Sequence, residues 1–156
     1  HDDEAVLKSG FGKVDYAAPK LFLRQTGDRP VCAWDDTGLL ALNNVHVGNA
    51  CHEGVSLKSL GVLLNSRLLT WYYRAVTLER GRPLAQLDLD MVAELPVKLP
   101  AAAGVLEAWY DRLAPGGGDD SGMNRAVYDL YGLNPAEIAV VETQVAASTP
   151  FAVTHS

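Results

Sequence analysis

Arg24, Gln25 and Thr26 stand side by side, Asn43 and Asn44 are adjacent, and Tyr72, Tyr73, Arg74, Thr77, Arg80 and Arg82 follow in a third group. Arginine, glutamine and asparagine can each make paired hydrogen bonds to base edges in the major groove of DNA, while Ser, Thr, Tyr and Lys serve phosphates. Taken singly, these residues also fit ordinary roles. Arg24 could be a salt-bridged strand end, and Tyr72 and Tyr73 could be core. Their collection in one chain is what points toward nucleic acid.

Signatures of catalysis are missing. The sequence has no GxGxxG or GxxxxGK[ST] loop for nucleotide phosphates, and no HExxH or GxSxG motif. Asp35/Asp36, Asp88/Asp90 and Asp119/Asp120 are paired in sequence, but each pair falls in or beside a turn, where Asp is favoured and solvated. Glu94 and Lys98 read as surface charges. Cys32 and Cys51 form no CxxC, and with His1, His46, His52 and His155 they supply no zinc spacing, so no metal site is expected and the thiols read as reduced. An independent small-molecule enzyme is therefore the weakest reading.

The elements that must position the polar groups follow from pattern. Leu21–Leu23 and Val31–Trp34 are β-prone runs joined by the turn formers Gly27, Asp28 and Pro30, and Leu39–Val47 is a third strand candidate. Residues 16–50 thus predict a β-meander. From Ser56, a plausible N-cap, the period changes. Leu57, Leu60, Leu63, Leu64, Leu68 and Trp71 recur at three- and four-residue spacing and predict one helix to about Tyr73. Pro96 and Pro100 exclude helix and leave an extended segment. Ala101–Leu113 reads as helix and residues 115–122 as a Gly-rich linker. Met123–Tyr131 reads as a helix ended by Gly132, and Asn134-Pro135-Ala136-Glu137 opens a last helix.

The chain carries 13 basic and 19 acidic residues, a formal charge of −6, which argues against indiscriminate coating of phosphates. The acidity is not uniform. Residues 51–82 hold Lys58, Arg67, Arg74, Arg80 and Arg82 against Glu53 and Glu79, whereas 83–156 hold three basic and ten acidic residues. No apolar run reaches the length of a membrane helix. The chain begins with His and reads as a piece of a longer protein.

Pro19-Lys20-Leu21-Phe22-Leu23-Arg24-Gln25-Thr26-Gly27 resembles the first strand of the TaqI-like C-terminal specificity domain. The resemblance continues through Asp36-Thr37-Gly38 and Leu42-Asn43-Asn44-Val45. It is strongest at the Leu-rich helix Leu57–Leu68, with its Leu64-Asn65-Ser66 and the following Trp71-Tyr72-Tyr73. Arg82 to Leu87, Leu95-Pro96-Val97, and Tyr128–Leu133 with Glu137-Ile138 extend it over residues 16–142. Such a domain reads target DNA for an adenine-specific methyltransferase or a fused restriction–modification enzyme.

The resemblance implies a mixed α/β fold, with a sheet packed on the Leu-rich helix and a small C-terminal helical segment. Together with the pattern along the chain, this gives a lead-in (1–15), a recognition core (16–100), a helical segment (101–147) and a tail (148–156). The loops Arg24–Arg29, Asn43–Glu53 and Thr77–Gln86 would read DNA on a rigid scaffold. The candidate DNA-contacting set is Arg24, Gln25, Thr26, Arg29, Asn43, Asn44, Lys58, Arg74, Thr77, Arg80, Arg82 and Gln86. The partners implied are double-stranded DNA and an N-terminal methyltransferase module in the prokaryotic cytoplasm. That module, not this chain, would hold S-adenosylmethionine and the catalytic residues; no Pro-Pro dipeptide of an Asn/Asp-Pro-Pro-Tyr site occurs here. The other reading is a docking module, supported by Trp109, Tyr110, Tyr128 and Tyr131 amid acidic residues.

Overall fold

Leu21 and Leu23 alternate with Lys20, Phe22 and Arg24, the period-two pattern of a strand with one face on a core. In the computed structural model, which describes residues 14–49, 54, 56–77, 82–102, 104–113 and 117–147, this segment is β1 (Lys20–Arg24). It pairs antiparallel with β2 (Cys32–Asp35) and β3 (Val45–Asn49), in registers that set Lys20 opposite both Asp35 and Asn49. With this sheet and six helices among the described residues, the mixed α/β class holds.

The strand order is β2-β1-β3, which differs from the expected meander, where β2 would lie in the middle. The third strand is also shorter than expected. Residues 36–44 cross from the Asp35 end of the sheet to the Arg24 end outside any strand, and β3 starts only at Val45. Gly38 turns the crossover away with φ +84°, a region that favours glycine. The amide of Leu39 donates to Asp35 Oδ2 at 3.1 Å, and a turn at Asn43-Asn44 closes with Val45 N donating to Leu42 O at 3.2 Å.

Lys20 and Asp35 form an ion pair at 2.6 Å on the sheet, with side-chain exposures of 0% and 7%. Lys20 Nζ also donates to Tyr16 O at 2.8 Å. Asp35 was expected to be a solvated turn carboxylate; burial makes it a paired one. The Lys20 and Thr37 hydrogen bonds hold its carboxyl well below the usual range.

The Leu-rich segment is two helices, not one. α1 (Leu57–Asn65) and α2 (Arg67–Val76) are separated by Ser66, whose backbone is extended (φ −69°, ψ 154°). Its hydroxyl donates to Leu63 O at 2.6 Å and accepts from Leu69 N, so it ends one helix and caps the next. Ser56 caps α1 as expected, accepting from Ser59 N at 3.1 Å. The break frees Asn65 to pair its carboxamide with both the N–H and the carbonyl of Cys32, each at 2.8 Å. Asn65 therefore completes the outer hydrogen bonds of β2.

Beyond α3 (Leu89–Ala93), capped by Asp88, residues 95–100 run without strand partners. α4 (Val105–Leu113) begins later than the expected Ala101, after Gly104 at φ +88°. α5 (Ser121–Tyr131) starts earlier than expected and takes Ser121 and Gly122 out of the linker. Gly122 is there for space: a Cβ would lie 2.4 Å from Trp109 Cη2. Gly132 ends α5 in the left-handed region, and α6 (Pro135–Ala146) opens with the expected capping box between Asn134 and Glu137.

One core unites these elements. Leu23 and Cys32 of the sheet, Val62, Leu63, Leu69 and Tyr73 of α1 and α2, Leu106 of α4, Val127 of α5 and Val141 of α6 are all buried in it. Arg67 fastens the C-terminal helices to this core, bonding Asp120 and Glu142 at 2.7 Å each, while its backbone N–H donates to Asn124 Oδ1.

Candidate nucleic-acid interface

At Arg24 the central strand leaves the sheet, yet the chain keeps strand-like bonding on both sides. Gln25 N donates to Asn44 O at 3.0 Å, and Gln25 O accepts from Leu87 N at 2.8 Å. Gly27 N donates to Ala85 O at 2.8 Å, and Thr26 forms an isolated antiparallel bridge with Gln86. A strip of residues 24–27 is thus flanked by the turn at Asn43-Asn44 and by residues 82–87, which themselves turn through Ala85 N donating to Arg82 O.

Two side chains on α2 hold this platform. Arg74, with 9% of its side chain exposed, pairs with Asp28 through two N–O contacts of 3.0 Å and so ties the 25–31 loop to the helix. The buried Tyr73 hydroxyl accepts from Asp88 N at 2.8 Å and fixes the far end of the 82–88 segment. Gly27 permits a close approach: its φ is +139°, and a Cβ there would sit 2.8 Å from an Arg24 guanidinium nitrogen. Arg24 in turn donates through Nε to Thr26 O at 2.6 Å.

The structure brings together Arg24, Gln25, Thr26, Asn43, Asn44, Arg82 and Gln86, with Arg29 exposed in the same loop. Asn43 and Asn44 do not interrupt a strand as expected; they form the turn that precedes one. Arg74 is engaged with Asp28 and supports the loop from beneath. Thr77 is the C-cap of α2, its hydroxyl donating to Tyr73 O at 2.8 Å.

Lys58 lies apart from the cluster. Its ammonium donates to Asp111 Oδ1 at 2.6 Å and sits 4.3 Å over the Trp34 ring, at the opposite end of the β1 register. Arg80, with Cys51, His52 and Glu53 of the second expected loop, falls outside the described residues.

Among the described residues, the exposed cations at this end are Arg24, Arg29 and Arg82. Among the described residues here, Asp28 faces Arg74, and Asp88 accepts from Asp90 N and Met91 N at the start of α3. The face therefore combines positive charge with amide side chains that carry both donors and acceptors. Sequence reasoning named Tyr73 among the polar groups, with core as its other reading, and the structure buries it; it missed Asp28 as the partner of Arg74. Asp28 stood among turn formers, and only the tertiary partner reveals its second role.

The aromatic residues behind the docking-module reading make internal contacts. Tyr128 OH donates to Glu142 at 2.6 Å, and burial followed by that carboxylate pushes its phenol pKa up. Tyr131 OH donates to Pro96 O and accepts from Lys98 N. Tyr110 OH accepts from Trp34 N at 2.6 Å, and Trp109 covers Gly122. Among the described residues, no group of three or more His, Cys, Asp or Glu could hold a metal ion, and no helix is long and apolar enough to cross a membrane.

A family model described as the TaqI-like C-terminal specificity domain matches residues 5–97. No curated protein and no solved structure matches the chain.

Proposed function

Because the chain belongs to the family of TaqI-like C-terminal specificity domains, we propose that it reads the base sequence of double-stranded DNA for a restriction–modification enzyme. The observation that carries this reading is the strip of residues 24–27, held by backbone bonds between the 43–44 turn and the 82–87 segment. That strip gathers arginine, glutamine, asparagine and threonine side chains on one end of a braced sheet. Planar amide and guanidinium groups there suit paired contacts to base edges, and the exposed arginines suit phosphates.

In this reading the chain sets register on the duplex and a catalytic module outside it does the chemistry. We assign that module to N6-adenine methylation, with S-adenosylmethionine as its cofactor and the prokaryotic cytoplasm as its compartment. Methylating a base requires extruding it from the stack, whereas choosing the site requires contacts along an intact helix, so separate modules suit the two tasks.

The test is selection of bound sequences from a random duplex pool by the 156-residue chain, with affinity followed across salt. An enriched motif is expected. Each phosphate contact makes the slope of log K against log salt more negative by about 0.9. Replacing Arg24 or Gln86 by alanine should relax individual motif positions if they face bases, or weaken all sequences alike if they face phosphate. Binding without any sequence preference would sink the specificity role.

A further inference from the structure

Arg24 is exposed, yet both its backbone and its guanidinium are held in place. It is the last residue of the central strand. Its N–H donates to Val31 O at 2.9 Å, and it stands opposite Val45 of β3, so chain on either side fixes its α-carbon. At the other end of the side chain, Nε donates to Thr26 O at 2.6 Å and folds the guanidinium back over the strip. Gly27 leaves the room for this fold. A Cβ there would lie 2.8 Å from Arg24 Nη2 and 3.6 Å from its Cζ.

Arginine offers N–H donors in one rigid plane and no acceptor. The Thr26 bond takes the Nε–H, and among the described residues the Nη groups of Arg24 have no hydrogen-bond or ion-pair partner. The acid in the same loop is withheld from them, because Asp28 binds Arg74 on α2 through two contacts of 3.0 Å. A guanidinium fixed in this way loses little freedom on binding, and its remaining donors suit acceptors that lie side by side. A phosphate asks for less: it is reached equally well by a mobile side chain, and it carries no sequence information. In the major groove, guanine presents the adjacent acceptors O6 and N7. Adenine sets a donor beside its N7, cytosine presents a donor, and thymine sets a methyl beside its O4. A fork of donors alone therefore distinguishes guanine from the other three bases.

We propose that Arg24 reads one guanine of the target site, through paired hydrogen bonds from its Nη groups to O6 and N7. The inference rests on the DNA-reading role above and adds to it a base identity and a specificity-determining residue. Thr26 O and the open space at Gly27 set the angle of the fork, and the Asp28–Arg74 pair keeps the loop's own carboxylate from occupying it.

The experiment takes the preferred duplex selected by the 156-residue chain and replaces each guanine in turn with 7-deazaguanine, which removes the N7 acceptor and keeps the base pair. Wild type should bind about tenfold more weakly at one or more of these replacements, the loss expected for one hydrogen bond to a charged group. Arg24→Ala should bind the guanine and 7-deazaguanine duplexes equally at one of those positions and keep its discrimination at any others. Its melting temperature should be unchanged, since the side chain is exposed. A selected sequence without guanine, 7-deazaguanine without effect at every position, or an Arg24→Ala variant that weakens all duplexes alike and keeps every discrimination overturns the proposal while leaving DNA reading intact. Failure of the wild-type chain to bind any duplex at low salt overturns both.

Discussion

Replacing Lys20 by Met removes the cation from a buried pair and leaves Asp35 behind. In the structure the Lys20 ammonium contacts Asp35 at 2.6 Å and Tyr16 O at 2.8 Å, and it lies 5.5 Å over the Phe22 ring. Methionine matches the stem but not the charge. Asp35 then keeps the Thr37 hydroxyl and the Leu39 amide among its donors. Breaking one side of a buried pair costs about 3–5 kcal/mol, because the remaining charge keeps neutral donors but loses its countercharge. A domain of this size is stabilised by about 5–15 kcal/mol, so the variant should melt about 6–20 °C lower.

The pH dependence carries a sign that can be checked. Lys20, then Thr37, hold the folded-state carboxyl below its ordinary value of 3.8. That stability is present above about pH 4 and is lost as pH falls through the depressed folded value. In Lys20→Met the main cause of the depression is gone, so the gap to wild type should narrow on acidification. The double variant Lys20→Met, Asp35→Leu should recover much of the melting temperature, since apolar replacement of a buried pair is often neutral. It should not recover duplex affinity, because Asp35 no longer anchors the crossover that carries Asn43 and Asn44. Thermal unfolding by circular dichroism for both single variants and the double gives the coupling directly. A Lys20→Met variant as stable as wild type, or a gap independent of pH, would refute the reasoning.

Gly122→Ala should cost about 1–3 kcal/mol by overpacking, since its Cβ would fall 2.4 Å from a Trp109 ring carbon; an unchanged melting temperature would count against the assigned contact. Gly27→Ala imposes about 1–3 kcal/mol of backbone strain at φ +139° and displaces the Arg24 guanidinium, so duplex titration should show weaker binding, and equal affinity would remove Arg24 from the reading face. Burial pushes the Cys32 thiol up to about 12, which keeps it protonated at neutral pH; peptide mapping after treatment with a thiol reagent should find Cys32 unmodified in the folded chain and modified once it is unfolded. Labelling of Cys32 at native pH would place it outside the core.

The β-prone run Leu21–Leu23, the Ser56 cap and the Asn134–Glu137 box were all legible, because each depends on residues close in sequence. The break at Ser66 was not. Leucines continue at helical spacing through it, and the reason for the break lies in distant partners: Asn65 on Cys32 and Arg67 on Asn124. Strand order escaped for a similar reason, since alternation states which residues face the core but not which strand lies between two others. At the candidate interface, Arg24, Gln25, Thr26, Asn43, Asn44 and Gln86, chosen by side-chain type, lie on segments that the structure joins by backbone bonds. The same criterion also gathered Lys58, which the structure commits to Asp111 and Trp34. Charge and hydrogen-bonding capacity are visible in one dimension; whether a nearby acid has already claimed them is not.

The bonds that assemble the strip at Gln25, Thr26, Gly27, Asn44, Ala85 and Leu87 run between peptide groups. Peptide groups are the same whatever side chain they carry. Gln25, Thr26, Asn44 and Gln86 can therefore be exchanged for other residues with little effect on where their α-carbons stand. A library randomised at these four positions should retain the folded state across most members while redistributing base preference among them. Such a surface separates inheritance of shape from inheritance of specificity, and new target sequences become accessible by point substitution without a compensating change in the core.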